Sequence, residues 1–177
     1  RLGRWRLGMA ELTYRDAISL GIAQELAHDP NVFILGEDVA GAGGVFKATP
    51  GLLEKFGPER DRDAPISEQA ILGAAMGAPM TGLRPIAALM FSDFLAVCRD
   101  IAANEIAKTR YITTGQMSVP LVIRTANGGG PRFGAQHSQS VEHWAMMIPG
   151  IKVVAPSTAV DAIYRDVWAD GGWAWRN

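Results

Sequence analysis

The sequence predicts an α/β fold, a parallel sheet with helices on both faces. Two observations predict it. Short apolar runs rich in Val, Ile and Leu recur along the chain as "NVFILGED", "PIAALM", "VPLVIRT" and "IKVVAPST", each closed by Gly, Pro, acidic or hydroxyl residues. Segments of helical periodicity alternate with them, and continuous rather than alternating hydrophobicity marks strands buried on both faces.

Taken in order, Thr13 caps a first helix, Asp16 suits its positive end, and Tyr14, Ile18, Ile22 and Leu26 share one face. Val32 to Leu35 reads as a buried strand stopped by Gly36 and two acids. The loop "GAGGVFKATPG" follows, with Thr49 and Pro50 opening a small helix that Gly57 closes. A short "API" segment precedes a helix of small residues from about Glu68. The second strand, "PIAALM", leads into a long helical pattern from Asp93 to about Tyr111. "VPLVIRT" is the third strand and "NGGGPRFGAQHSQS" a long polar loop. "IKVVAPST" is the fourth strand, ending in a helix cap at Ser157 or Thr158.

The 177 residues, 48% hydrophobic and 20% charged, suffice for the core of one good-sized domain and hardly for two. A formal net charge of -1 argues against a sequence-independent nucleic-acid binder, which carries a broad excess of Lys and Arg. No apolar run approaches a membrane span, and the amino terminus lacks the apolar stretch of a signal peptide. The expectation is a protein of the cytoplasm or an organelle matrix, with no nucleic acid and no membrane among its partners. The single cysteine, Cys98, lies in an apolar helical pattern and reads as core packing.

In open sheets of this kind ligands bind at the carboxyl ends of the strands. That singles out Gly36 to Val39, Phe91 to Phe94, and the Gly-rich loop up to His137. Glu68 joins them at a helix start. An acid in a first helical turn interacts favourably with the helix dipole, which explains Glu68 without any function. Against that, the apolar and small residues in "ISEQAILGAAMG" would desolvate the carboxyl and fit it to share a proton with a buried base. His137 reads equally as a surface and as a catalytic histidine, while His28 and His143 read as structural. The spacing of histidines, Cys98 and acids resembles no metal site. "GGGPRFG" lacks the GK[ST] ending of a phosphate-binding P-loop, and no serine lies in a G-x-S-x-G elbow.

In order, "GEDV", "AGGVFKATPGLLEKFGPER", "PISEQ", "MTGLRPI", "MFSDF", "VPLVIRT", "GAQHSQS" and "PGIKVVAPST" resemble the beta subunit of the thiamine-diphosphate-dependent 2-oxo acid dehydrogenases, the pyruvate and acetoin branches above all. The resemblance runs from about Glu11 to Ala162. It implies a transketolase-like pyrimidine-binding fold that grips the aminopyrimidine end of thiamine diphosphate. On that reading Glu68 is the activating glutamate, whose carboxyl bonds a pyrimidine ring nitrogen and favours the imino tautomer. Phe94 matches the aromatic that packs on the pyrimidine, and Met90 a pocket residue at the end of the same strand. Glu37 matches an acid near the pyrimidine, and His137 the histidine of the active-site channel. The diphosphate-and-magnesium motif, GDG followed at a distance by Asn, does not occur, so the resemblance assigns Mg2+ to an alpha subunit sharing the cofactor in a heterotetramer. It further implies a lipoyl-bearing acyltransferase core as acyl acceptor, a small 2-oxo acid or acetoin as substrate, and a structural K+ held by backbone carbonyls.

The chain departs from the family's pattern at four places. Pro79 stands in the small-residue helix, where an interior proline costs about 3 kcal/mol unless the helix ends there. Asp61 and Arg62 replace apolar residues before Glu68, weakening the short strand, and Ile101 replaces a glutamine. After "STAVDA" the chain reads "IYRDVWADGGWAWRN". The expected organisation is an extension over residues 1–8, the pyrimidine-binding domain over 9–162, and an atypical tail over 163–177, with the family's carboxyl-terminal domain lacking. A non-catalytic fragment of the same fold, binding a partner or nothing, is the alternative function.

Overall fold

The computed structural model describes residues 12–130 and 132–167. The extension at residues 1–8 and, of the tail expected over 163–177, residues 168–177 lie outside the described residues.

Helix α1 (Tyr14–His28) starts as its sequence requires: the Thr13 hydroxyl oxygen accepts the Asp16 N–H at 3.2 Å. It buries Ala17, Gly21, Ile22 and Leu26, one apolar stripe. Strand β1 (Val32–Gly36) follows, buried at all five positions. Short α2 (Leu52–Phe56) and a three-residue strand β2 (Asp61–Asp63) precede α3 (Glu68–Gly77), and then come β3 (Arg84–Phe91), α4 (Thr109–Ile112), β4 (Val122–Ala126), α5 (Glu142–Met146) and α6 (Ala159–Val167). Helix α3 ends at Gly77, and Pro79 falls in the 3-10 turn Ala78–Thr81, where it breaks no α-helical hydrogen bond.

Among the described residues the sheet is parallel with order β2-β1-β3-β4. On one face Phe33, Leu35, Ala87 and Leu89 pack with Ile71, Leu72 and Ala75 of α3 and with Cys98, Ala102 and Ile106. On the other, Ile34, Ile86, Ala88 and Met90 pack with Ile22 and Leu26 of α1 and Leu52 of α2. Each of the Leu, Ile, Phe and Met side chains among them, fully buried, contributes roughly 1.5–3 kcal/mol, so β1 and β3 are stabilised from both sides. Helices on both faces are what the apolar runs predict, and Cys98 is core, fully buried.

Two elements differ from the sequence reading. Residues 151–156, expected as the fourth strand, form no strand, and the fourth member of the sheet is β2. An apolar run becomes a strand only where a sheet edge takes up its backbone groups. Here Gly150 is pressed on Ala107, where an added Cβ would lie 2.3 Å from the carbonyl oxygen, and the Pro156 carbonyl accepts the Tyr14 hydroxyl of α1. The segment therefore runs from one helix to another. The expected long helix from Asp93 changes pitch instead, with a 3-10 turn at Ser92–Ala96, a π turn at Ile101–Ile106, then α4. Its ends are held by side chains: Asp93 and Ser92 bond the later loop, and the Thr109 hydroxyl donates to the Glu105 carbonyl at 2.6 Å. Thr158, one of the two expected caps, opens α6 by accepting the Asp161 N–H at 3.0 Å.

Candidate functional site

The carboxyl ends of β1 and β3 and the start of α3 converge on one side of the sheet. At the end of β1 the chain passes so close to β3 that a Cβ on Gly36 would meet the Ala88 oxygen at 2.6 Å, so only glycine fits. Glu37 is next, half-buried. Its carboxyl is raised above the ordinary range, first by burial, then by the charges of Asp38 and Glu68. Asp38 takes a left-handed conformation (φ 53°), which turns the chain back, and its carbonyl accepts the Gly44 N–H at 2.7 Å. Thr49 closes this loop from inside: its buried hydroxyl donates to the Val39 carbonyl at 2.6 Å.

Glu68 is the first residue of α3, half-buried, behind an N-cap in which the Ser67 oxygen accepts the Ala70 N–H at 3.3 Å. Its charge acts on Glu37 and also on Cys98, whose thiol is pushed up to about 11 by burial first and Glu68 second. Cys98 lies one turn beyond Phe94 and donates to its carbonyl at 3.5 Å. Glu68 is thus near both the loop after β1 and the helical segment after β3.

Phe94 belongs to a cluster of rings. It stands edge-on to Phe91 (5.8 Å between centroids) and to His137 (5.1 Å), and His137 stands edge-on to Phe91 at 4.8 Å. Phe46, from the loop after β1, and Phe133, from the Gly-rich loop, complete the group: each contacts Phe91, at 5.3 and 5.5 Å, and they meet each other at 6.3 Å. Polar ties hold the loop carrying His137. The buried Asp93 carboxylate accepts the Gln139 backbone N–H (3.2 Å) and side-chain amide (2.8 Å), and the Ser92 hydroxyl donates to Asn127 at 2.6 Å.

Of the residues the sequence singles out, the structure brings Glu37 to Glu68 and Phe94 to His137. Met90 is buried in the core on the α1 and α2 face, with Ile34 and Ile86, across the sheet from α3. Phe91, Asp93 and Phe133 fall in stretches the sequence marks as strand ends and loops facing a ligand, but their roles in the cluster, and Phe46 altogether, escaped the sequence reading, since no spacing links a strand end to two separate loops. The arrangement presents two neighbouring half-buried acids, Glu37 and Glu68, and a cluster of aromatic rings at the end of β3, features that suit a flat polar ring.

The sequence profile of the transketolase pyrimidine-binding domain matches residues 10–165. The chain belongs to this family. This pyrimidine-binding domain is 47% identical over 154 residues to the 2-oxoisovalerate dehydrogenase subunit beta of Bacillus subtilis, a match covering 87% of this chain and 47% of that one. It is 44% identical to the mitochondrial pyruvate dehydrogenase E1 component subunit beta-1 of Arabidopsis thaliana (88% and 43% covered). It is 45% identical to the acetoin:2,6-dichlorophenolindophenol oxidoreductase subunit beta of Bacillus subtilis (85% and 48%). The chain therefore spans about half the length of these relatives. A solved split-gene transketolase, an inactive beta4 tetramer, shares the fold with a TM-score of 0.64 at 23% identity, over 89% of this chain and 47% of that one. Among the described residues no helix is long and apolar enough to cross a membrane.

Proposed function

We propose that this chain supplies the pyrimidine-binding part of a thiamine-diphosphate-dependent 2-oxo acid dehydrogenase beta subunit, acting on a small 2-oxo acid or acetoin and passing the acyl group to a lipoyl arm. One observation carries the reading: Glu68 sits half-buried at the start of α3, within electrostatic reach of Glu37 and of the helical segment bearing Phe94. The relatives, by name the beta subunits of a 2-oxoisovalerate dehydrogenase, a pyruvate dehydrogenase and an acetoin oxidoreductase, support it.

The site's chemistry fits an aminopyrimidine. A half-buried carboxyl can hydrogen-bond a ring nitrogen, and Glu37 beside it has its proton affinity raised by burial first and then by the charges of Asp38 and Glu68. Phe94 offers an apolar surface for a flat ring, and His137, packed on Phe91 and Phe94, would help position the acyl group or lipoyl arm. Met90 supports the end of β3 from below. Bound there, thiamine diphosphate would supply the carbon nucleophile that adds to a 2-oxo group and takes up the negative charge left on cleavage. Glu68 would hold and move the proton at the ring nitrogen, and Phe94 would orient the ring. An alpha subunit would bring Mg2+ and the diphosphate contacts and complete a heterotetramer in the cytoplasm or an organelle matrix.

The test is calorimetry of the full-length gene product, assembled with an alpha subunit, against thiamine diphosphate and magnesium, followed by turnover of Glu68→Gln. Binding only in the assembled complex and a loss of turnover of about 10²-fold or more are expected, the range of a general acid–base group. Undiminished turnover in Glu68→Gln would remove the proton-relay role.

A further inference from the structure

Strand β2 carries two carboxylates on one face, Asp61 and Asp63, while Arg62 turns to the other and lies over the Phe33 ring at 5.4 Å. Their surroundings differ. The Asp63 carboxylate accepts the backbone N–H groups of Ala40 at 2.8 Å and Gly41 at 3.1 Å, in the turn just past Glu37. On the near side of Glu37, the Gly36 carbonyl accepts the Ala64 N–H at 2.8 Å. Glu37 is thus bracketed by β2. Asp61, by contrast, is 1% exposed, and neither of its oxygens has a hydrogen-bond partner among the described residues.

Such an orphaned acid is costly when ionised. Burial, then the charges of Asp63 and Glu54, push Asp61 up to about 7. The other charged groups around it give no relief. Glu59 and Arg62, which border the same cavity of about 430 Å³, are paired with each other at 2.7 Å. Lys55 of α2 lies over the Phe56 ring, and the Arg60 guanidinium is occupied by the Leu26, Asp29 and Val32 carbonyls. From β1, Asp61 meets only Ile34 in register.

We propose that Asp63 is a positioning residue that holds the Glu37 turn against Glu68, and that the buried Asp61 beside it makes this clamp loosen as pH rises. The inference rests on the reading of Glu37 and Glu68 as site residues. Opening β2 solvates Asp61 and returns it to the ordinary carboxylate range, so opening becomes about tenfold easier per pH unit between that range and the buried one, then levels off.

Two measurements on the full chain test it, neither needing cofactor or activity. In the first, hydrogen exchange of the Ala40 and Gly41 amides, corrected for intrinsic rates, should lose about tenfold protection per unit from pH 5 to 7 and little above 8. Asp61→Asn should flatten that slope. A flat wild-type profile, or a slope surviving Asp61→Asn, overturns the pH coupling. Should Asp61→Asn not fold, the wild-type Asp61 carboxyl carbon shift decides, a midpoint near 7 supporting and one near 4 overturning it. In the second, Asp63→Ala should expose both amides and let the Glu37 carboxyl titrate nearer the ordinary glutamate range, and Asp63→Asn, which keeps an accepting oxygen, should restore part of both. A Glu37 titration unmoved by Asp63→Ala overturns the positioning role. Should Asp63→Ala not fold, Asp63→Asn alone decides: partly weakened Ala40 and Gly41 protection supports the clamp, and wild-type protection overturns it. Failure of the assembled complex to bind thiamine diphosphate would instead remove the functional reading and leave these results standing.

Discussion

Strands β2 and β3 flank the same strand, both parallel to it, and are held there by opposite means. Six of the eight residues of β3 are buried, and its apolar side chains reach into cores on both faces of the sheet. β2 has three residues, all charged, and its attachments are a short ladder, the Asp63 carboxylate and the Arg62 ring contact. The lesson is a division of labour around β1. Apolar area fixes β3 irrespective of pH and salt, whereas the polar edge answers to both, and it is the edge that touches the Glu37 loop.

The comparison breaks if the apolar side proves soft. Leu89→Ala, at a β3 position 2% exposed, should cost about 2–5 kcal/mol in urea unfolding, through lost transfer energy and the cavity left behind. A loss under 1 kcal/mol would put β3 on a par with the edge.

Next in size is the pH dependence of the edge. Asp61 has a folded-state value of about 7 against 3.8 for the free side chain, so the folded chain keeps a proton that the unfolded chain releases. Stability from this group is therefore full at low pH, falls as pH rises from about 4 to about 7, and is level beyond. Asp61→Val removes the dependence. Its advantage over wild type should grow by on the order of 2–3 kcal/mol between pH 5 and pH 8, measured as the difference in unfolding free energy. A constant difference would mean that Asp61 is already solvated.

The smallest effect sharpens the picture. Glu59 and Arg62 form an ion pair at 2.7 Å, but their side chains are 86% and 47% exposed, and Glu59→Gln should change stability by less than about 0.5 kcal/mol. A loss above 1 kcal/mol would show that the edge has an ionic anchor as well as a hydrogen-bonded one.

The same contrast explains what could be read from the letters. β1 and β3 announce themselves because their strand character and their burial come from the same apolar residues. "Asp-Arg-Asp" has no such character, and only the free edge of β1 makes it a strand. The reverse holds for residues 151–156, whose Ile and Val look like a strand but which join no sheet edge, the last carbonyl, of Pro156, accepting the Tyr14 hydroxyl of α1 instead. In the site, Glu37, Glu68, Phe94 and His137 were named through resemblance, because each alone has an ordinary explanation. The ring cluster was illegible for a different reason: Phe46, Phe91 and Phe133 are neighbours only once two loops meet over the end of β3.

The order of strands also bears on how the chain folds. Ile34 pairs with Asp61 on one side and with Ile86 on the other, and the second partner is about twice as far along the sequence. Doubling a loop adds only about 0.6 kcal/mol of closure entropy, less than one buried isoleucine returns. Collapse is therefore expected to join the two distant central strands before the nearer edge strand docks. Until it does, β1 offers one row of unpaired backbone groups to any extended segment nearby, a window in which association between unfinished copies competes with completion of the sheet.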